Sequence, residues 1–216
     1  DTYNLGYSLS SKYAWGVTLF SNEQKAIIVN GLGIDVIDVS SSSNVSLLSE
    51  INITGDTTYD IVLTSTNKNA FVALGSSGIT VLDMQDIQNI TSPFNNIATT
   101  GSALAVALSK DDSTLYVAEG SRGIEIIDVR GLSTSTILSR YDTPGSAVDV
   151  ELSDDGSKLY IADTIMGVLV LDISNKIAPR IIEAYNSQGS TNSITKANTN
   201  DSIFISDGGN GALILK

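Results

Sequence analysis

The residues best able to do chemistry in this chain are acids that fall into two aligned columns. One column stands at the entry to an apolar run and reads Gly16, Asp60, Ala105, Asp149, Ser193. The other stands at the end of a neighbouring run and reads Asn30, Leu74, Glu119, Asp163, Asp207. Oxygen donors of this kind suit a hard cation such as Ca2+, which takes about six to eight oxygen ligands. Asp60, Asp149, Asp163 and Asp207 are the candidate ligands, and Ca2+ is the cofactor they would hold. No compact D-x-D-x-D-G loop accompanies them, and DDGSK at 154–158 reads as a turn at the opposite end of its unit. Two acids facing one another also suggest glycoside hydrolysis, which needs carboxyls about 5–10 Å apart and a cleft for the sugar. Asp60 and Asp149 would be that pair, although the short loops offer little wall for a cleft. Beside the acids lie Trp15, Arg122 and Met166, with Thr57, Thr58, Thr164 and Ile165. The candidate ligand-binding residues are therefore Trp15, Asn30, Asp60, Glu119, Arg122, Asp149, Asp163, Met166 and Asp207, and no residue is assigned a catalytic role.

These columns exist because the chain repeats. GIDVIDV (33–39), GITVLDM (78–84), GIEIIDV (123–129), GVLVLDI (167–173) and GALILK (211–216) begin with glycines 45, 45, 44 and 44 residues apart. Upstream of each lies a second apolar run, such as LYVAEG (115–120) and LYIADT (159–164), and before that a third, such as AVALSK from Ala105 and DVELSD from Asp149. Short runs rich in β-branched and aromatic residues, closed by Gly, Asn or Asp, read as strands. The turns between them are polar, as turn dihedrals favour. A fourth, less apolar run follows the IDV segment, as in TILSRY and PRIIEAY, and reads as an outer edge strand. Four strands per unit at a period of about 44 residues predict the blade of a β-propeller.

Five units account for the whole length, with blades at about 13–54, 55–101, 102–145, 146–189 and 190–216 plus 1–12. The last unit stops after its third strand, and the first begins with an orphan run, YNLGYSLS (3–10). The expected fold is thus all-β, a single five-bladed propeller domain closed by the N-terminal strand completing the last blade. The recurring glycine is expected to supply positive φ or close backbone approach. The Asp of the IDV run, at 38, 83, 128 and 172, is expected to bond the amides of the turn that follows it. In such a fold both acidic columns fall at one channel mouth.

Composition narrows the function classes. There is no cysteine and no histidine, which excludes thiol chemistry, imidazole acid–base catalysis and imidazole metal ligands. With 24 acidic against 12 basic residues, the formal net charge of −12 argues against a nucleic-acid partner. No run is long and apolar enough to insert in a bilayer as a helix. Low lysine content with abundant Ser, Thr, Asn and Gly predicts an exported protein, extracellular or on the cell surface, and a monomer or a domain of a larger polypeptide.

The runs at 115–129 and 159–189 resemble the LVIVD-repeat family, whose pattern is Tyr-Val-Ala-Asp, a loop, Gly-Leu, an apolar strand ending Ile-Asp-Val-Ser, and a Pro-containing turn. The resemblance is close in units three and four, fair in one and two, and poor in the last, where Lys216 stands at the Asp position. It implies a propeller in a surface or secreted protein of bacteria or archaea, and it implies no particular enzymatic activity. Even repeats, short loops and the lack of His and Cys predict a non-catalytic interaction module with a protein or glycan partner at the mouth. The alternatives are a Ca2+-dependent glycan-binding module, a glycosidase-like hydrolase and a ligand-free spacer.

Overall fold

The computed structural model describes residues 14–90, 95–132, 134–197 and 202–215. The described residues form no helix; all regular structure is antiparallel strand. The chain divides into two compact units, Asp1–Ala98 and Thr99–Lys216.

In the first unit, β1 (Gly16–Leu19), β2 (Lys25–Val29), β3 (Gly33–Asp38) and β4 (Ser46–Asn52) form one sheet in sequence order. The next sheet is β5 (Asp60–Leu63), β6 (Asn69–Ala73), β7 (Ile79–Asp83) and β8 (Asn95–Ile97). In the second unit the pattern continues with β9 (Ala105–Leu108), β10 (Thr114–Ala118), β11 (Ile124–Asp128) and β12 (Thr136–Tyr141). It repeats in β13 (Ala147–Leu152), β14 (Lys158–Asp163), β15 (Gly167–Asp172) and β16 (Arg180–Tyr185). The last sheet, β17 (Thr191–Lys196), β18 (Ile203–Asp207) and β19 (Gly211–Leu215), has three strands among the described residues. Five meander sheets at the repeat period are the blades of a five-bladed β-propeller. The expected closing strand at 1–12 lies outside the described residues.

Burial follows strand order within each blade. In the first four blades the second and third strands are largely covered on both faces, so β10 is buried at every position and β15 at all but its last, whereas β18 alternates and β19 is mostly exposed. The covered strands therefore read as continuous apolar runs rather than alternating ones. The fourth strands are wet, and β16 is exposed throughout. Within the second unit, one apolar cluster joins Tyr116, Ile124 and Ile126 to Val150, Ile161 and Leu169 of the next blade. A smaller one joins Ala162 and Val168 to Ile194, Ile203 and Ile205. In the first unit Ile27, Val29 and Ile34 pack with Ile61, Val72 and Leu82.

The recurring glycine does both things expected of it, though not everywhere at once. Gly167 has φ +85° and a side chain there would meet Tyr185 O at 2.2 Å. Gly33 lies outside the left-handed region, yet a Cβ on it would stand 1.9 Å from Ile51 O. The requirement at Gly33 is close approach of the outer strand. The IDV aspartates take up i+2 amides: Asp38 accepts from Ser40 N (2.9 Å), Asp83 from Gln85 N (2.9 Å), Asp128 from Arg130 N (3.1 Å) and Asp172 from Ser174 N (3.0 Å). Each turns the chain from the third strand toward the fourth.

Candidate functional site

In the first unit Trp15, Asn30 and Asp60 come close together around glycines. Trp15 N donates to Val29 O at 2.9 Å, and its half-exposed indole tilts against Tyr59 with ring centroids 5.9 Å apart. A Cβ on Gly31 would lie 3.0 Å from Trp15 Nε1, and one on Gly16 would lie 3.6 Å from Asp60 Oδ1. Asn30 is buried and its Oδ1 accepts from Leu32 N at 3.1 Å. Asp60 Oδ1 accepts from Ile61 N at 2.8 Å.

The candidate aspartates of the second unit are spent on nearby amides, Asp149 and Asp163 on backbone and Asp207 chiefly on the Asn210 side chain. Asp163 is fully buried; its Oδ1 accepts from Ile165 N (3.0 Å) and Met166 N (2.8 Å), and its Oδ2 from Gly145 N (3.0 Å). The Met166 side chain packs partly buried against the neighbouring core. Asp149 accepts from Val150 N through Oδ1 and from Ile194 N through Oδ2, both at 2.8 Å, tying β13 to β17. Burial pushes the Asp149 carboxyl up, partly offset by those amides. Asp207 is buried and accepts from Asn210 Nδ2 at 2.9 Å, a bond that holds its carboxyl low. Among the described residues no three or more carboxylates gather closely enough to hold a metal ion together.

Glycine makes room for these acids. The loops before the first strands carry Gly101, Gly145 and Gly189, and a Cβ would fall 2.8 Å from Glu119 Cβ, 2.1 Å from Asp163 Oδ1 and 1.7 Å from Asp207 Oδ1 respectively. Glu119 occupies the same position as Asp163 and Asp207 with one more methylene. Its carboxyl reaches past the loop amides: Thr100 Oγ1 lies 2.8 Å from Glu119 Oε2 and 3.3 Å from Glu125 Oε1. Arg140 Nε donates to Glu125 Oε1 at 2.7 Å across the β11–β12 pairing, where Glu125 and Arg140 stand opposite each other. Glu119 is 2% exposed and Glu125 is 0%. Burial, reinforced by the charge of Glu125, pushes the Glu119 carboxyl up to about 7.

Over this cluster opens a cleft of 540 Å³ lined by Thr100, Ser121, Arg122, Arg140 and Asp142. Arg122 is exposed and, among the described residues, has no ion-pair partner. Thr100, Glu125 and Arg140 were not among the residues singled out from the sequence. The available signal was Glu125 itself, an acid in a column that otherwise reads Asp35, Thr80, Leu169 and Leu213 inside an apolar strand. A charge there requires a partner from another strand.

No helix of the described residues is long and apolar enough to cross a membrane. No curated protein matches the chain. The LVIVD repeat family model matches residues 100–143 and 144–187, the spans of the two blades built from β9–β12 and β13–β16. These two blades, the candidate cleft included, match the LVIVD repeat.

Proposed function

We propose that this protein is a non-catalytic binding module of an exported or cell-surface protein, and that its third blade presents a cleft for a carboxylate on its partner. The observation that carries this reading is the pair of guanidiniums, Arg122 and Arg140, lining one polar cleft in a chain of net charge −12. A guanidinium offers a planar fork of donors that matches a carboxylate, and among the described residues Arg122 has no ion-pair partner. Thr100 and Ser121 add hydroxyls that suit the neighbouring groups of an acidic sugar or an acidic peptide segment.

Binding is favoured over hydrolysis by where the carboxylates point. A hydrolytic pair faces its substrate at a separation of about 5–10 Å. Glu119 and Glu125 instead lie buried against one shared hydroxyl, and Asp60 and Asp149 each accept the amide of the next residue.

The test is a backbone NMR titration with two probes, an oligogalacturonate and a glutamate-rich peptide. The expected result is shifts at Ser121, Arg122 and Thr100 that vanish in Arg122→Ala; the probe that causes them identifies the partner class. Unmoved spectra with both probes, or shifts that survive in Arg122→Ala, would overturn the reading.

A further inference from the structure

Glu119 and Glu125 are two fully buried acids whose hydrogen-bond accounts do not balance if both are ionised. Glu119 Oε1 and Glu125 Oε2 are buried with no hydrogen-bond partner among the described residues. Thr100 Oγ1 sits within bonding distance of both carboxyls, at 2.8 Å and 3.3 Å. A hydroxyl carries a single hydrogen, so it donates to only one of them. The second contact is a hydrogen bond only if one carboxyl supplies a proton. Glu125 already receives Arg140 Nε at 2.7 Å, a charge-assisted bond that favours its ionised form. Among the described residues Glu119 receives no such cation, and like charges this close disfavour ionisation of both.

We propose that Glu119, Thr100 and Glu125 form a relay with one resident proton: the Glu119 hydroxyl donates to Thr100 Oγ1, the Thr100 hydroxyl donates to Glu125, and Glu125 is held by Arg140. The exposed Thr100 is the relay's contact with solvent in the cleft, and the proton leaves by that route. The charged groups around Glu119 are Glu125 on β11, Arg140 on β12, Arg122 in the β10–β11 turn and Asp142 after β12. With the proton present, Glu125 is balanced by Arg140. Once it is lost, Arg140 faces two carboxylates and offers less to a ligand. The last consequence rests on the cleft being a carboxylate site; the relay itself does not.

The experiment is a 13C NMR titration of the glutamate carboxyls in the full chain without ligand. One glutamate is expected to titrate near neutral pH, about two pH units above the ordinary value. That transition should be absent in Glu119→Gln and should fall by a unit or more in Glu125→Gln, which removes the like charge. Glutamates that all titrate below pH 5.5 in the wild-type chain would overturn the relay whether or not either variant folds. So would a neutral transition that persists in Glu119→Gln or stays unmoved in Glu125→Gln. Because no ligand is present, failure here leaves the carboxylate-binding reading standing, and the reverse also holds.

Discussion

Replacing Glu119 by Gln should abolish a pH dependence of stability expected of the wild-type chain between pH 4.5 and 7. The Glu119 carboxyl is raised from 4.5 to about 7, first by burial and then by Glu125. A folded value above the unfolded one means that the native state binds more protons across that window. Its contribution is therefore fully present below the unfolded value and is lost as pH rises through about 7. At about 1.36 kcal/mol per pH unit, the shift sets a ceiling of about 3 kcal/mol. Arg140 is 48% exposed and the cleft admits water, so screening reduces this to about 1.5–2 kcal/mol. For a chain of this size that is about 3–8 °C in melting midpoint. Gln is neutral at every pH and keeps a donor for Thr100 and an acceptor. At pH 4 the two proteins should melt together, and at pH 8.5 Glu119→Gln should melt higher by that margin. Thermal unfolding followed by circular dichroism at half-unit pH steps measures both curves. Parallel curves from pH 5 to 8.5 would refute the reasoning, because a removed titration cannot leave the slope unchanged.

Other perturbations follow from single contacts. Asp163→Asn leaves one acceptor oxygen for three amides and turns an NH2 toward one of them, so denaturant midpoints should report a loss of about 2–4 kcal/mol. Gly167→Ala combines a left-handed φ with a clash at Tyr185 O and should cost about 2–5 kcal/mol by the same measurement, whereas unchanged stability would mean that the outer strand is free to move away. Arg122, exposed and without an ion pair among the described residues, should on replacement by Ala change stability by less than about 0.5 kcal/mol while removing carboxylate binding, a separation visible by calorimetry on one sample. Millimolar Ca2+ against EDTA should leave the melting midpoint unmoved, since Asp149, Asp163 and Asp207 already serve amides; a rise of about 5 °C that disappears in Asp163→Asn would support the cation site.

The blade was legible in the sequence because everything that defines it is local. Strand periodicity, the polar turns and the IDV aspartates act over at most a few residues, so they repeat wherever the sequence repeats. Asp38, Asp83, Asp128 and Asp172 each bond an amide two residues on, and no distant contact is needed to place them. The acidic column was legible as a column, but its chemistry was not. Asp163 and Glu119 align, yet the shorter side chain ends on Gly145, Ile165 and Met166 amides while the longer one reaches Thr100. That difference of one methylene matters only once the preceding loop lies against the second strand. Thr100 and Glu125 are 25 residues apart, and Glu125 and Arg140 are 15 apart. They meet because β11 pairs with β12 in a register that shifts between Ile126 and Ile127, and because Gly101 lets the loop close over Glu119. The sequence alone determined a five-fold array of antiparallel meanders, since hydrophobic period and turn chemistry are properties of neighbouring residues. Only the tertiary structure decided which acids turn inward to hold backbone and which pair over a proton, because burial and charge proximity are set by residues far apart in the chain.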